Sequence, residues 1–181
     1  MFEIDELIAD CEGALTEDRP AVAVQEVLRR AVSRPTEVDR VLGVAARGGF
    51  RCLHQAATLT ILQFVWPPRV HLFPHDHRMW AVIGIYGGAE DNTFFRRAAP
   101  GLAASGNKRL EAGEVTILGT PVIHAVENPY GSYTAAIHVY GGDYFATPRS
   151  QWDPVTFDEQ PFDAEAVRRQ LDDAPTGPEV T

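Results

Sequence analysis

The order of apolar and polar positions divides the chain into stretches of different period. In the first, Phe2, Ile4, Leu7, Ile8, Cys11 and Leu15 recur at helical spacing up to Thr16. Pro20 opens a second helical run, with Val22, Val24, Val27, Leu28 and Val32 as its apolar positions, and the run stops before Pro35. Thr36 is the expected cap of a short third helix that ends at Gly43.

From Gly48 to about Trp152 the pattern is that of strands and turns. Leu59–Trp66, Met79–Tyr86, Thr93–Arg97, Lys108–Glu111, Glu114–Leu118, Val122–Val126 and Tyr133–Tyr140 are short β-type runs separated by turn-forming residues. Many short strands with no long helix between them predict an antiparallel sandwich or barrel. A last helix is expected over Asp163–Asp172, followed by a frayed tail from Ala174 to Thr181. The expected layout is a helical N-terminal appendage over residues 1–45, a β-barrel over 46–160, and a C-terminal helix and tail over 161–181.

Composition narrows the function. A chain of 181 residues with 45% hydrophobic positions can bury one sizeable core. Sixteen Lys and Arg against 25 Asp and Glu give a net charge of −9, which offers no general attraction to nucleic acid or anionic lipid. No signal peptide pattern opens the chain, and the most apolar stretch, Thr58–Trp66, is too short to span a bilayer, so a cytoplasmic protein is expected. Cys11 and Cys52 cannot build a disulfide framework and have no zinc spacing, and Cys52 reads as a buried, inert thiol.

The chemistry is concentrated in histidines. His75 and His77, two apart in Pro74-His-Asp-His-Arg78, would point to one side of a strand and so to one point inside a barrel. Forty-seven residues after His77 stands His124, within Gly113-Glu-Val-Thr-Ile-Leu-Gly-Thr-Pro-Val-Ile-His124-Ala-Val-Glu-Asn128. His-x-His followed by Gly-x10-His-x3-Asn resembles the two motifs of the cupin superfamily. That resemblance implies a double-stranded β-helix (jelly-roll) barrel in which His75, His77 and His124 ligate one metal ion. It also implies that Gly113 and Asn128 shape the turns around the second motif. Most cupins add a Glu three or four residues after the second His, whereas Trp80 and Ala81 stand here. Three imidazoles without a carboxylate suit Fe(II) with open positions for an anionic substrate and dioxygen, or zinc with a water.

A three-histidine cupin with this surrounding sequence resembles the thiol dioxygenases, the cysteine dioxygenase family, in its bacterial form. The likeness runs from about Gly49 to Tyr140, and its landmarks are Phe50-Arg-Cys-Leu53, the His75–His77 motif and Ala136-Ile-His138-Val-Tyr140. It implies a mononuclear non-haem Fe(II) enzyme that adds both atoms of O2 to the sulfur of a small carboxylate-bearing thiol. Arg51 would bind the carboxylate through its planar fork of donors, and Tyr140 with His138 would steer the bound oxygen. The family's serine before this His is Ala136 here, which removes an outer partner of His138. No cysteine stands where animal members form a Cys–Tyr thioether, since Val82 occupies that place, so no such cofactor is expected.

The substrate stays open at this point between cysteine, favoured by Arg51, and 3-mercaptopropionate, whose bacterial dioxygenases carry their arginine beyond the Tyr, where Arg149 lies. Other readings are a metal-dependent cupin enzyme of another reaction type and a non-catalytic cupin that binds a small molecule or a metal. Arg51 also reads as a surface arginine, and Tyr140 as a barrel-wall tyrosine. Trp80 and Val82 are the expected hydrophobic wall of the site, while His54, His71 and the Glu90–Asp91 pair read as structural or solvated residues. The expected partners are the thiol and O2, with no nucleic acid or membrane, in a monomer or small homo-oligomer.

Overall fold

Three helices open the computed structural model, which describes residues 1–173: α1 (Ile4–Ala14), α2 (Pro20–Val32) and α3 (Pro35–Leu42). The expected tail over Ala174–Thr181 lies outside the described residues. Pro20 and Pro35 each sit in the first turn of their helix, where the missing N–H costs nothing and the fixed φ favours helical entry. Thr36 therefore lies inside α3, and Arg34 takes the cap position. The helices bury Leu7 and Cys11 from α1, Val24, Leu28 and Val32 from α2, and Val38 and Leu42 from α3.

Eleven strands follow, in two antiparallel sheets. They are β1 (Gly49–Gln55), β2 (Thr60–Trp66), β3 (His71–Asp76), β4 (Ala81–Gly87), β5 (Ala89–Arg97) and β6 (Leu102–Glu111). Then come β7 (Val115–Leu118), β8 (Ile123–Glu127), β9 (Thr134–Tyr140), β10 (Ser150–Trp152) and β11 (Glu159–Pro161), before α4 (Ala164–Asp173). One sheet has the order β1-β2-β9-β4-β7, and the other β11-β10-β3-β8-β5-β6. Face to face they enclose a core of Leu62, Phe64, Ile83, Ile85 and Tyr140 from the first sheet with Leu72, Leu110 and Val126 from the second. This is a mainly β fold of two facing antiparallel sheets with helices at its N-terminus.

The five-stranded sheet is covered on both faces. Its outer residues Ile61, Val82, Ile137 and Val139 pack against Leu28, Val32 and the other helical side chains. Gly84 makes this approach possible: a Cβ there would lie 2.8 Å from Leu28 Cγ, so any larger residue would push α2 away. At the crossing from one sheet to the other, Gly88 takes φ +75° directly after β4, and a Cβ would strike Thr134. β5 consequently starts at Ala89 and not at Thr93, which draws Glu90 into the sheet. Asn128 is fully buried and organises the β8–β9 turn, donating to the carbonyls of Trp66, Pro67 and Ser132 and accepting from Tyr130 N–H. Among the described residues, no helix is long and apolar enough to cross a membrane.

Candidate metal centre

Two neighbouring strands of the six-stranded sheet bring the histidines together. His75 on β3 and His124 on β8 are direct register partners, with ring centroids 4.6 Å apart. His77, just past the end of β3, presents its ring 5.0 Å from each of the other two. The three are buried, and their potential ligand atoms all lie within 4.8 Å of one another. Among the described residues, no Asp or Glu joins the group.

The donor set fits a metal ion. A carbonyl oxygen only accepts, so the Nδ1–H of His75 donates to Phe73 O at 3.1 Å, which leaves its Nε2 lone pair free. His124 Nδ1 lies 2.7 Å from Asn92 Oδ1, and the Nε2 atoms of His124 and His77 face each other at 3.4 Å. That separation is the one expected of two nitrogens each about 2.1 Å from a shared ion at a near-tetrahedral angle. Burial pushes the His75 imidazole down to about 4. Burial, with the neighbouring histidines, lowers His77 and His124 well below the ordinary range. All three are therefore neutral at pH 7, the form that ligates metals.

Around the histidines the pocket is walled by Phe64, Trp66, Leu72, Val126, Tyr144 and Val167, and its free volume of ≈ 10 Å³ is about that of one water. Trp80 and Val82 are not part of this wall: both belong to the cluster on the helical side. Strand parity is the reason, since Ala81, Ile83 and Ile85 take the inward positions of β4.

His138 and Tyr140 occupy successive inward positions of β9, and His138 Nδ1 is 3.0 Å from the Tyr140 hydroxyl. The Tyr140 ring stands 5.1 Å from that of His77, and burial holds its hydroxyl well above the usual range, hence protonated. Arg149, only 9% exposed, lies between the rings of Tyr144 and Phe162, at 3.9 and 3.8 Å from their centroids. The same Phe162 ring is 5.9 Å from the His75 ring, so the guanidinium lies behind the residues that line the pocket and not among them. One of its terminal nitrogens donates to Tyr144 O, while Nε is buried without a partner.

Arg51 is not brought to the histidines. Phe50 turns inward onto Phe64 at 5.5 Å, so Arg51 emerges on the opposite face of β1, exposed, beside the chain segment that follows α3. Cys52 is exposed as well, contrary to its reading as a buried thiol, while Cys11 is the buried one and its thiol is pushed up to about 12. His71 is exposed at the start of β3, and His54 lies 3.6 Å from Glu12 of α1.

The largest departure from the sequence reading is Glu90. It is no solvated loop residue but fully buried, accepting from Trp66 Nε1 at 2.9 Å and from Asn92 Nδ2 at 3.0 Å. Asp91 is the solvated member of the pair, bound to Arg109 across the β5–β6 ladder. Alternation along Glu90, Asn92 and Phe94, once β5 is extended back to Ala89, is the signal that would have revealed the inward set.

No known family profile matches the chain. Its fold is similar to that of several solved structures of low sequence identity. An RmlC-like cupin with a double-stranded β-helix from Methanocaldococcus jannaschii aligns at TM-score 0.47 and 13% identity over 56% of this chain and 85% of its own. A protein with a double-stranded β-helix domain from Klebsiella pneumoniae aligns at 0.47 and 10%, over 61% and 88%. A DMSP lyase from Ruegeria pomeroyi aligns at 0.47 and 18%, over 60% and 53%. The described residues form two facing antiparallel sheets with a buried three-histidine group able to hold a metal ion.

Proposed function

We propose that the protein is a non-haem iron dioxygenase of small carboxylate-bearing thiols. The observation that carries the reading is one pocket edged by three neutral imidazoles with no ligating carboxylate and by a Tyr–His pair, with a buried guanidinium nearby that has an unpartnered Nε–H. Fe(II) held by His75, His77 and His124 would keep its full charge and supply open positions and redox chemistry for a thiolate and dioxygen. The overall conversion is RSH + O2 to RSO2H, in which sulfur is oxidised, O2 is reduced and no further reductant is needed.

The chain's own residues supply position and protons. Arg149, braced between Tyr144 and Phe162, offers the carboxylate a planar set of donors on a rigid support. Tyr140 holds a proton at its hydroxyl next to His77, with His138 as its hydrogen-bond partner. Phe64, Leu72, Val126 and Val167 keep bulk water out. Since Arg51 faces away and the buried Arg149 lies against Phe162, next to His75, the preferred thiol shifts from cysteine to 3-mercaptopropionate, whose dioxygenases the sequence resembles in that arginine position.

The test is oxygen uptake by the anaerobically iron-loaded protein with 3-mercaptopropionate, cysteine and cysteamine, with His124→Ala as control. The expected result is uptake with 3-mercaptopropionate above cysteine, none with carboxylate-free cysteamine, and none in His124→Ala. One iron bound per chain with no uptake for any thiol would overturn the reading. It would favour a cupin enzyme of another reaction or a metal-binding protein.

A further inference from the structure

Glu90, Asn92, His124, His138 and Tyr140 come from three strands and meet inside the barrel, each no more than 3% exposed. Glu90 stands at the centre of this set. One carboxylate oxygen, Oε1, accepts from Asn92 Nδ2 at 3.0 Å. A carboxylate has no hydrogen to give, so this bond fixes which way the Asn92 amide points. Its Oδ1 is left for His124, at 2.7 Å from Nδ1, and an amide oxygen only accepts. His124 must then carry its proton on Nδ1 and direct the Nε2 lone pair at the other histidines.

The second oxygen acts on the other histidine. Glu90 Oε2 accepts from Trp66 Nε1 and lies 3.6 Å from His138 Nε2, a nitrogen that is buried without a hydrogen-bond partner. At that distance the interaction is electrostatic and favours a proton on Nε2. With the proton there, Nδ1 is the acceptor, and the Tyr140 O–H at 3.0 Å is its donor. Ala136, one inward position before His138 on β9, has no polar group to offer the ring, so the charge that faces Nε2 comes from another strand, β5.

We propose that Glu90 is a positioning residue, setting the tautomer of a metal ligand, His124, through Asn92 and that of His138 directly. It touches neither the ion nor the substrate. The proposal rests on the three-histidine centre being a metal site and does not depend on the thiol as substrate.

The experiment uses the full chain, metal-free at pH 8, labelled with ¹⁵N for histidine ring spectra, and then titrated with Co(II) against a competing chelator. The wild-type spectra should show His124 as the Nδ1–H tautomer and His138 as the Nε2–H tautomer. Glu90→Gln should mix the tautomers of both rings and raise the Co(II) dissociation constant about 10- to 100-fold. Asn92→Leu should affect His124 and Co(II) to a similar degree while leaving His138 unchanged. Combining the two should cost little more than either alone, whereas a merely structural role would give multiplicative losses and no tautomer change. A wild-type His138 in the Nδ1–H form, or unaltered Co(II) affinity and spectra in Glu90→Gln, would overturn the proposal. Should Glu90→Gln not fold, the wild-type tautomers and Asn92→Leu decide. If the wild type binds no Co(II) at all, the metal-site reading fails, and the tautomers still decide the role of Glu90.

Discussion

The two faces of the five-stranded sheet are buried to the same depth and made of the same strands, yet they do different things. Along β9, Ala135, Ile137 and Val139 face the helices, while Ala136, His138 and Tyr140 face the pocket; all are at most 3% exposed. The outer face is closed almost wholly by hydrocarbon from α1, α2 and α3. The inner face brings His138 and Tyr140 up against the imidazoles, the Glu90 carboxylate and the Asn92 amide of the six-stranded sheet in the same dry interior, and nearly every polar atom has a partner. Depth of burial therefore does not distinguish stabilising positions from functional ones. A satisfied polar network in the core does, because such groups are costly to bury unless something else requires them.

Damage to the outer face should lower stability and leave the centre intact. Leu28→Ala opens a cavity at the Gly84 contact and should cost about 2–5 kcal/mol in denaturant unfolding, with one metal still bound per folded chain. Loss of metal stoichiometry in the folded variant would break the separation of the two faces.

Acid acts on the histidines that the inner face packs against. The folded His75 has its pKa lowered to about 4 from an unfolded value near 6.5, so between these values the unfolded chain binds the extra proton. Its contribution is therefore complete above about pH 6.5 and is lost as pH falls towards about 4, which amounts to about 3 kcal/mol from this residue. His77 and His124 act in the same direction. Unfolding of the metal-free protein across this range should show that decline. Leu28→Ala should shift the curve down without changing its shape, and a flat curve in the wild type would contradict neutral buried imidazoles.

Two smaller effects sharpen the contrast. Tyr140→Phe should lower stability by no more than about 1 kcal/mol while slowing thiol oxidation about 100-fold or more. Equal losses of both would make the hydroxyl a structural group only. Cys52→Ser, at an exposed position of β1, should change the unfolding free energy by less than about 0.5 kcal/mol and leave oxygen uptake as it was.

Much of this was legible from the sequence where a periodic pattern or a turn residue marked it. Pro20, Pro35 and the apolar spacing located the helices, and Thr60–Trp66 and Thr134–Tyr140 lie almost where their β-rich runs end. Only the Lys108–Glu111 end of β6 is legible, because as an edge strand its Ala103–Asn107 half carries no apolar alternation. β10 and β11, three residues each, carry too little pattern to be seen. The histidine spacing foretold a cluster that the β3–β8 register does assemble. Side is what the spacing leaves open. Arg51, Val82 and Glu90 take faces fixed by the neighbouring residues that set the parity, namely Phe50, Ala81 and Gly88. A one-residue offset exchanges inside for outside, and motif spacing alone does not fix it.

The central claim is that the inner face, with Arg149, is the working site and that the outer face with Arg51 is not. The most direct measurement is kcat/KM for 3-mercaptopropionate oxidation in iron-loaded Arg149→Gln and Arg51→Gln. Loss of a hydrogen-bonded ion pair to the carboxylate predicts a fall of about 10- to 150-fold in Arg149→Gln, with Arg51→Gln within about twofold of wild type. The reverse pattern, or equal losses in both variants, would contradict it.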